Sequence, residues 1–173
     1  AAELARLGLD PARPTGLVLF GGQGAPVMVD LVSRLQHASR PLQLILLCGH
    51  NDKLAARLRA LPTRIPVRVE GFTTEVPRFM AISDFMIGKP GPGSISEAMA
   101  MKLPVIVERN AWTMPQERYN CDWLLEREAG LVLKNFREIG PAVERLLEPG
   151  MLARLRAGAA AIDNQAVFEI AAL

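Results

Sequence analysis

Short runs of β-favouring apolar residues alternate along this chain with stretches whose apolar positions recur every three or four residues. The runs Gly16–Phe20, Leu42–Cys48, Val67–Val69, Phe85–Ile87, Pro104–Val107 and Leu131–Leu133 predict strands. None shows strict alternation, so each is expected to be buried on both faces. Between and after them, Val27–Ala38, Asp52–Ala60, Val76–Ile82, Ser94–Met101, Gln116–Arg127 and Glu138–Leu147 predict amphipathic helices. A helix over Met151–Ala161 and a last amphipathic piece ending at Leu173 follow Pro149 and Gly150. The order predicts an α/β domain: a doubly wound, Rossmann-like, six-stranded parallel sheet. Such sheets bind ligands beyond the carboxyl ends of their strands, so function is expected in the loops that follow the strands.

Composition narrows the class. The chain has 173 residues, half of them hydrophobic and 22% charged, which suits one globular domain over residues 1–173. Residues 1–14, closed by Pro11 and Pro14, read as an entry segment. Lys and Arg exceed Asp and Glu by only two, too little for a nucleic-acid partner. Cys48 and Cys121 have no C-x-x-C spacing and only His37 and His50 accompany them, so neither a disulfide framework nor a structural metal is expected. The apolar runs fall short of the roughly 18 residues that span a bilayer. Glu3, Arg6 and Asp10 interrupt any signal-peptide core. The chain does not begin with Met, and we expect it to be a piece of something longer.

Three loops carry candidate chemistry. Gly21-Gly22-Gln23-Gly24-Ala25-Pro26 leaves a strand and enters a helix, and its glycines let backbone N–H groups approach an anion. Val27 stands where a dinucleotide fingerprint has its third glycine, and no acidic residue follows the second strand, which disfavours NAD. The loop is also readable as a tight turn without a ligand. In Gly88-Lys89-Pro90-Gly91-Pro92-Gly93-Ser94-Ile95-Ser96-Glu97, free N–H groups of Gly93, Ser94 and Ile95 would favour a diphosphate. Glu97 admits two readings: partner of Ser94 in an S-x-x-E capping box, or acceptor for vicinal ribose hydroxyls. In the third loop, Gln116, Glu117 and Asn120 place polar groups on one side of a helix start. They either read sugar hydroxyls or follow the preference of such residues for helix starts. Trp112 and Met114 either form an apolar platform or close their loop over the core. His50 and Asp52 are the nearest approach to an acid–base pair, and no nucleophile motif accompanies them.

Together these segments resemble the carboxyl-terminal half of GT-B glycosyltransferases of family 28, above all monogalactosyldiacylglycerol synthases and bacterial diacylglycerol glucosyltransferases. The resemblance rests on Leu19-Phe20-Gly21-Gly22-Gln23-Gly24, Cys48-Gly49-His50-Asn51-Asp52-Lys53-Leu54, Val69-Glu70-Gly71-Phe72, Lys89 to Ala98, and Pro115-Gln116-Glu117. It implies a donor-binding domain whose acceptor-binding amino-terminal domain is absent. Phe72 and the backbone at Thr73 would flank uracil, Gly91, Pro92, Gly93 and Ser94 would hold the diphosphate, and Glu97 the ribose. Gln116 with Glu117 would hold the hexose, with Asn120 in the same nucleotide-sugar site, while Gly22, Gln23 and Gly24 would face the acceptor and the reacting centre.

The resemblance implies inverting transfer of a hexose from a uridine diphosphate sugar to a lipid such as diacylglycerol, with no cofactor beyond the donor and no metal. No catalytic residue is expected in this chain, so alone it should bind donor and turn nothing over. A cytoplasmic location is expected, with peripheral contact at the membrane face left open. The alternatives are half of a UDP-sugar 2-epimerase-like isomerase and a non-catalytic nucleotide-binding module. Relatives carry Pro-Gly before the Gln-Glu pair where this chain has Met114-Pro115, so the resemblance leaves the hexose unspecified.

Overall fold

The computed structural model describes residues 1–162. Six strands, β1 (Thr15–Leu19), β2 (Gln43–Leu47), β3 (Val67–Glu70), β4 (Phe85–Gly88), β5 (Val105–Glu108) and β6 (Gly130–Leu133), pair in parallel in the order β3-β2-β1-β4-β5-β6. Each predicted strand is present within a residue or two of its expected bounds. The order reverses between β1 and β4, which is the topological switch point of a doubly wound sheet.

Successive residues of the central strands point to opposite faces, and both faces are apolar. Val18, Leu44 and Leu46 belong to one core, whereas Leu17, Ile45 and Leu47 belong to the other. Helices α2 (Val27–Leu35) and α3 (Asp52–Ala60) pack Met28, Leu31, Leu35, Leu54 and Leu58 into the first core. Helices α4 (Val76–Ala81), α5 (Pro92–Ala100) and α6 (Pro115–Glu126) pack Phe79, Met80, Ile95, Met99, Cys121 and Leu124 into the second. The crossovers on either side of the switch point therefore cover opposite faces, giving three layers. A 3-10 turn (Phe136–Glu138) and α7 (Ile139–Leu146) return to the first face. Helix α8 (Met151–Ala160) closes the end of the sandwich, with Leu155 in one core and Ala159 in the other.

The entry segment carries a five-residue helix, α1 (Ala2–Arg6), which the hydrophobic pattern did not mark. It is held by Leu4 and Leu9, which are buried in the second core. Buried Gln43 fastens the segment from below: its Oε1 accepts from the Asp10 N–H at 2.9 Å and its Nε2 donates to the Asp10 carbonyl at 2.8 Å. A helix this short is marginal without such tertiary support, so its own periodicity could not announce it. The expected amphipathic piece ending at Leu173 lies largely outside the described residues. No helix among the described residues is long and apolar enough to cross a membrane.

Candidate functional site at the switch point

The loops after β1 and β4 open on the same end of the sheet. The first is shaped by close approach. Gly24 has φ of +59°, and a Cβ there would lie 2.7 Å from Leu54 Cδ2 and 3.2 Å from the Cys48 carbonyl oxygen. The His50 N–H donates to the Gly22 carbonyl at 2.9 Å, and Asn51 Nδ2 donates to the Gln23 carbonyl at 3.1 Å. Asn51 also caps α3, its Oδ1 accepting from the Leu54 N–H at 3.0 Å. Gly22 and Gln23 are thus exposed yet pinned, with their carbonyls turned toward the β2 exit and used there.

The loop after β4 differs from expectation at one telling place. Helix α5 begins at Pro92 with Gly91 as its N-cap, two residues earlier than predicted, so Ser94 lies inside the first turn. The Ser94–Glu97 capping box is therefore not formed, because a capping residue must stand outside the helix. Pro92 at the first position explains the early start: its fixed φ suits a first turn and its missing N–H costs nothing there. The expectation of a free N–H at Ile95 is likewise corrected, since it donates to the Gly91 carbonyl at 3.1 Å. The N–H groups of Gly93 and Ser94 precede that bond and have no intrahelical partner, and no side chain caps the end. Glu97, one turn further along, is exposed, and its carboxylate makes no hydrogen bond or ion pair among the described residues.

Helix α6 supplies the third wall. Asn120 Nδ2 donates to the Pro90 carbonyl at 2.8 Å, which ties the second turn of α6 to the loop that leads into α5. Beside this clasp lies a cleft of about 260 Å³, whose walls include Phe20, Lys89, Glu117 and Trp112. Glu117 is half-buried with an unengaged carboxylate, whereas Gln116 is exposed and its Nε2 reaches only Met114 Sδ, at 3.8 Å. Lys89 brings a positive charge to the same cleft. The structure thus brings Lys89, Glu117 and Trp112 together, and joins Asn120 to the α5 loop. Phe72 and Thr73 stand apart at the β3 exit, where Thr73 Oγ1 accepts from the Glu75 N–H at 3.0 Å and Phe72 faces His50.

The loop over Glu108–Pro115 is more constructed than its sequence suggested. Glu108 at the end of β5 accepts from Asn110 Nδ2 at 2.8 Å and from the Phe136 N–H at 2.7 Å, so both its oxygens are engaged. Asn110 Oδ1 accepts from the Trp112 N–H and Thr113 Oγ1 from the Asn110 N–H, each at 2.9 Å. Arg118 holds the far side by donating to the Ala111 and Thr113 carbonyls. These bonds fix the main chain under Trp112, whose side chain is 92% exposed. Closure of the loop over the core is thereby excluded for Trp112. Asn110 and Thr113 were the available signal, because Asn and Thr side chains that bond the main chain build turns.

Cys48 and Cys121 are free and buried beneath the site, and burial pushes both thiols up in pKa. They act as small apolar side chains. His37 is exposed in the turn that follows α2, just past the end of the helix predicted to carry it. His50 and Asp52 do not form an acid–base pair: the imidazole stacks on Phe72, and the two residues are linked through the Asp52 N–H and the His50 carbonyl. Among the described residues no group of three or more His, Cys, Asp or Glu is placed to hold a metal ion.

A switch-point cleft, an uncapped helix N-terminus and flanking carboxylates mark this end of a doubly wound α/β domain as the candidate ligand site. Glycosyltransferases are among the solved structures of which one half shares this fold. That of MurG from Acinetobacter baumannii superposes with a TM-score of 0.77 at 15% identity, over 96% of this chain and 51% of the other. The Streptomyces glycosyltransferase SsfS6, solved with thymidine diphosphate, gives 0.63 at 14% identity, over 95% of this chain and 42% of the other. Residues 16–134 match the glycosyltransferase family 28 C-terminal domain, and the chain belongs to that family. A relative from rice, the probable monogalactosyldiacylglycerol synthase 3, is 35% identical over 150 residues, 83% of this chain and 29% of the relative. The chain thus spans less than a third of that curated relative's length.

Proposed function

We propose that this chain forms the donor site of an inverting glycosyltransferase that moves a hexose from a uridine diphosphate sugar to a lipid acceptor such as diacylglycerol. The observation that carries this reading is the uncapped N-terminus of α5 at the switch point, with unpaired Glu97 one turn along. Unpartnered N–H groups and the positive end of the helix dipole favour a diphosphate. A carboxylate with both oxygens unengaged suits two adjacent ribose hydroxyls. Family membership and a structural neighbour that holds a nucleoside diphosphate support the donor class.

In the proposed reaction the acceptor hydroxyl attacks the anomeric carbon, the bond to the diphosphate oxygen breaks, and the charge that develops there falls on the Gly93 and Ser94 N–H groups. Fixed donors of this kind act where charge develops, which gives this step no need of a metal. Gln116 and Glu117 would orient the hexose beside Lys89 and the diphosphate, and Gly22 to Gly24 would border the reacting centre. Glu108 is unsuited to be the base, because both its oxygens are engaged. We assign the base, the lipid site and any peripheral membrane contact to an amino-terminal part of the whole protein. The rice relative is described as chloroplastic, so the cytoplasmic location remains our expectation.

Glu97→Ala tests the assignment. Loss of two bonds to a carboxylate should weaken uridine diphosphate about tenfold while leaving inorganic pyrophosphate unchanged in calorimetric titration. Equal losses for both would remove Glu97 from the ribose site.

A further inference from the structure

His50 and Phe72 leave neighbouring parallel strands, and their rings lie 4.0 Å apart between centroids at an interplanar angle of 16°. Phe72 is nonetheless 61% exposed, so the imidazole covers one face of the phenyl ring while the other stays open. The main chain beneath the pair is fixed. The Cys48 N–H donates to the Glu70 carbonyl at 2.9 Å, which carries the β2–β3 ladder up to the residues that lead into the two rings. On the other side the His50 N–H is held by the Gly22 carbonyl, and the neighbouring Asn51 by both Gln23 and the start of α3.

An exposed phenyl ring without such backing would exchange rotamers in water, and a ligand that stacked on it would have to order it first. Imidazole is flat enough to back the ring and polar enough at its rim to remain at the surface. Ring pairs of this kind have a preferred geometry, so the backing fixes the height and tilt of the open face.

We propose that His50 is a positioning residue whose ring backs Phe72, so that the open face of Phe72 forms a shelf for the pyrimidine base of the donor. The proposal rests on the donor-site reading above and adds a residue that does not itself touch the ligand. It ties the base shelf to the glycine loop through one stretch of main chain, His50 and Asn51.

Titration of the 173-residue chain with uridine diphosphate, adenosine diphosphate and inorganic pyrophosphate tests it. His50→Ala should weaken uridine diphosphate about fivefold and leave pyrophosphate unchanged. His50→Phe should restore the lost affinity, because a flat ring is what the shelf requires. Equal weakening of pyrophosphate would make His50 a phosphate-facing cation and overturn the proposal, as would a His50→Phe variant no better than His50→Ala. Should His50→Ala fail to fold, His50→Phe decides alone: wild-type affinity for uridine diphosphate supports the shelf and a selective loss overturns it. The parent reading fails separately, by a wild-type chain that does not prefer the uridine nucleotide. Full preference retained in His50→Ala would remove only the role of His50.

Discussion

At Gly49 the main chain has φ of +57°, and a Cβ there would collide with the Gly22 carbonyl. That carbonyl is the one His50 donates to, so the crowding and the hydrogen bond describe the same close approach of two loops. Gly49→Ala should lower stability by about 2–3 kcal/mol in denaturant unfolding, since left-handed strain and a backbone clash add. Gly22 has no neighbour within 4 Å of such an atom and no left-handed φ, so Gly22→Ala should cost less than about 1 kcal/mol. A similar loss for both variants would show that the glycine loop is not pinned as described. Single residues also mark where sequence reading ran out. His50 and Phe72 were legible as separate motif positions, but their stacking depends on the register of β2 against β3, which no local pattern encodes.

The element boundaries decided which side-chain roles were readable. Apolar periodicity locates the buried face of α5 at Ile95, Ala98 and Met99, but it is silent about the turn before the first buried residue. Pro92 fixed that start, and moving it two residues took Ser94 out of the capping position and left Glu97 unpaired. Helix α7 makes a side-chain contact of its own with the loop beyond α2. Its Glu144 accepts from the Ser39 N–H and, at 2.9 Å, from Ser39 Oγ beyond α2, with Arg40 Nε 3.7 Å away. The Ser39 N–H, foremost, holds the Glu144 carboxyl below its ordinary value. A lowered folded-state pKa contributes stability above the unfolded-state value, and that contribution is lost as pH falls through the folded-state value. Glu144→Gln should therefore lose up to about 1 kcal/mol near neutrality. The difference from wild type should close below the ordinary carboxylate range; a gap that persists in acid would assign the effect to packing instead.

The architecture as a whole was the most legible part, because six doubly buried strands and their intervening helices leave a strong repeating pattern. The strand order was not written in that pattern. It follows from which helices cover which face, and it brings the loops after β1 and β4 side by side although about 65 residues separate them. The glycine and Pro-Gly loops were readable for the same reason, since strand-to-helix turns have strong composition. The Trp112 loop was legible only as a turn, through Asn110 and Thr113, because the bond from the Phe136 N–H to Glu108 that anchors it comes from 28 residues away. The central claim is that this assembly is a donor site for a uridine nucleotide, and calorimetric titration of the chain with uridine and adenosine diphosphates tests it most directly. The account predicts at least about tenfold preference for the uridine nucleotide, since base contacts add to a phosphate site that both ligands share. Equal affinities, or no binding by either, would contradict it.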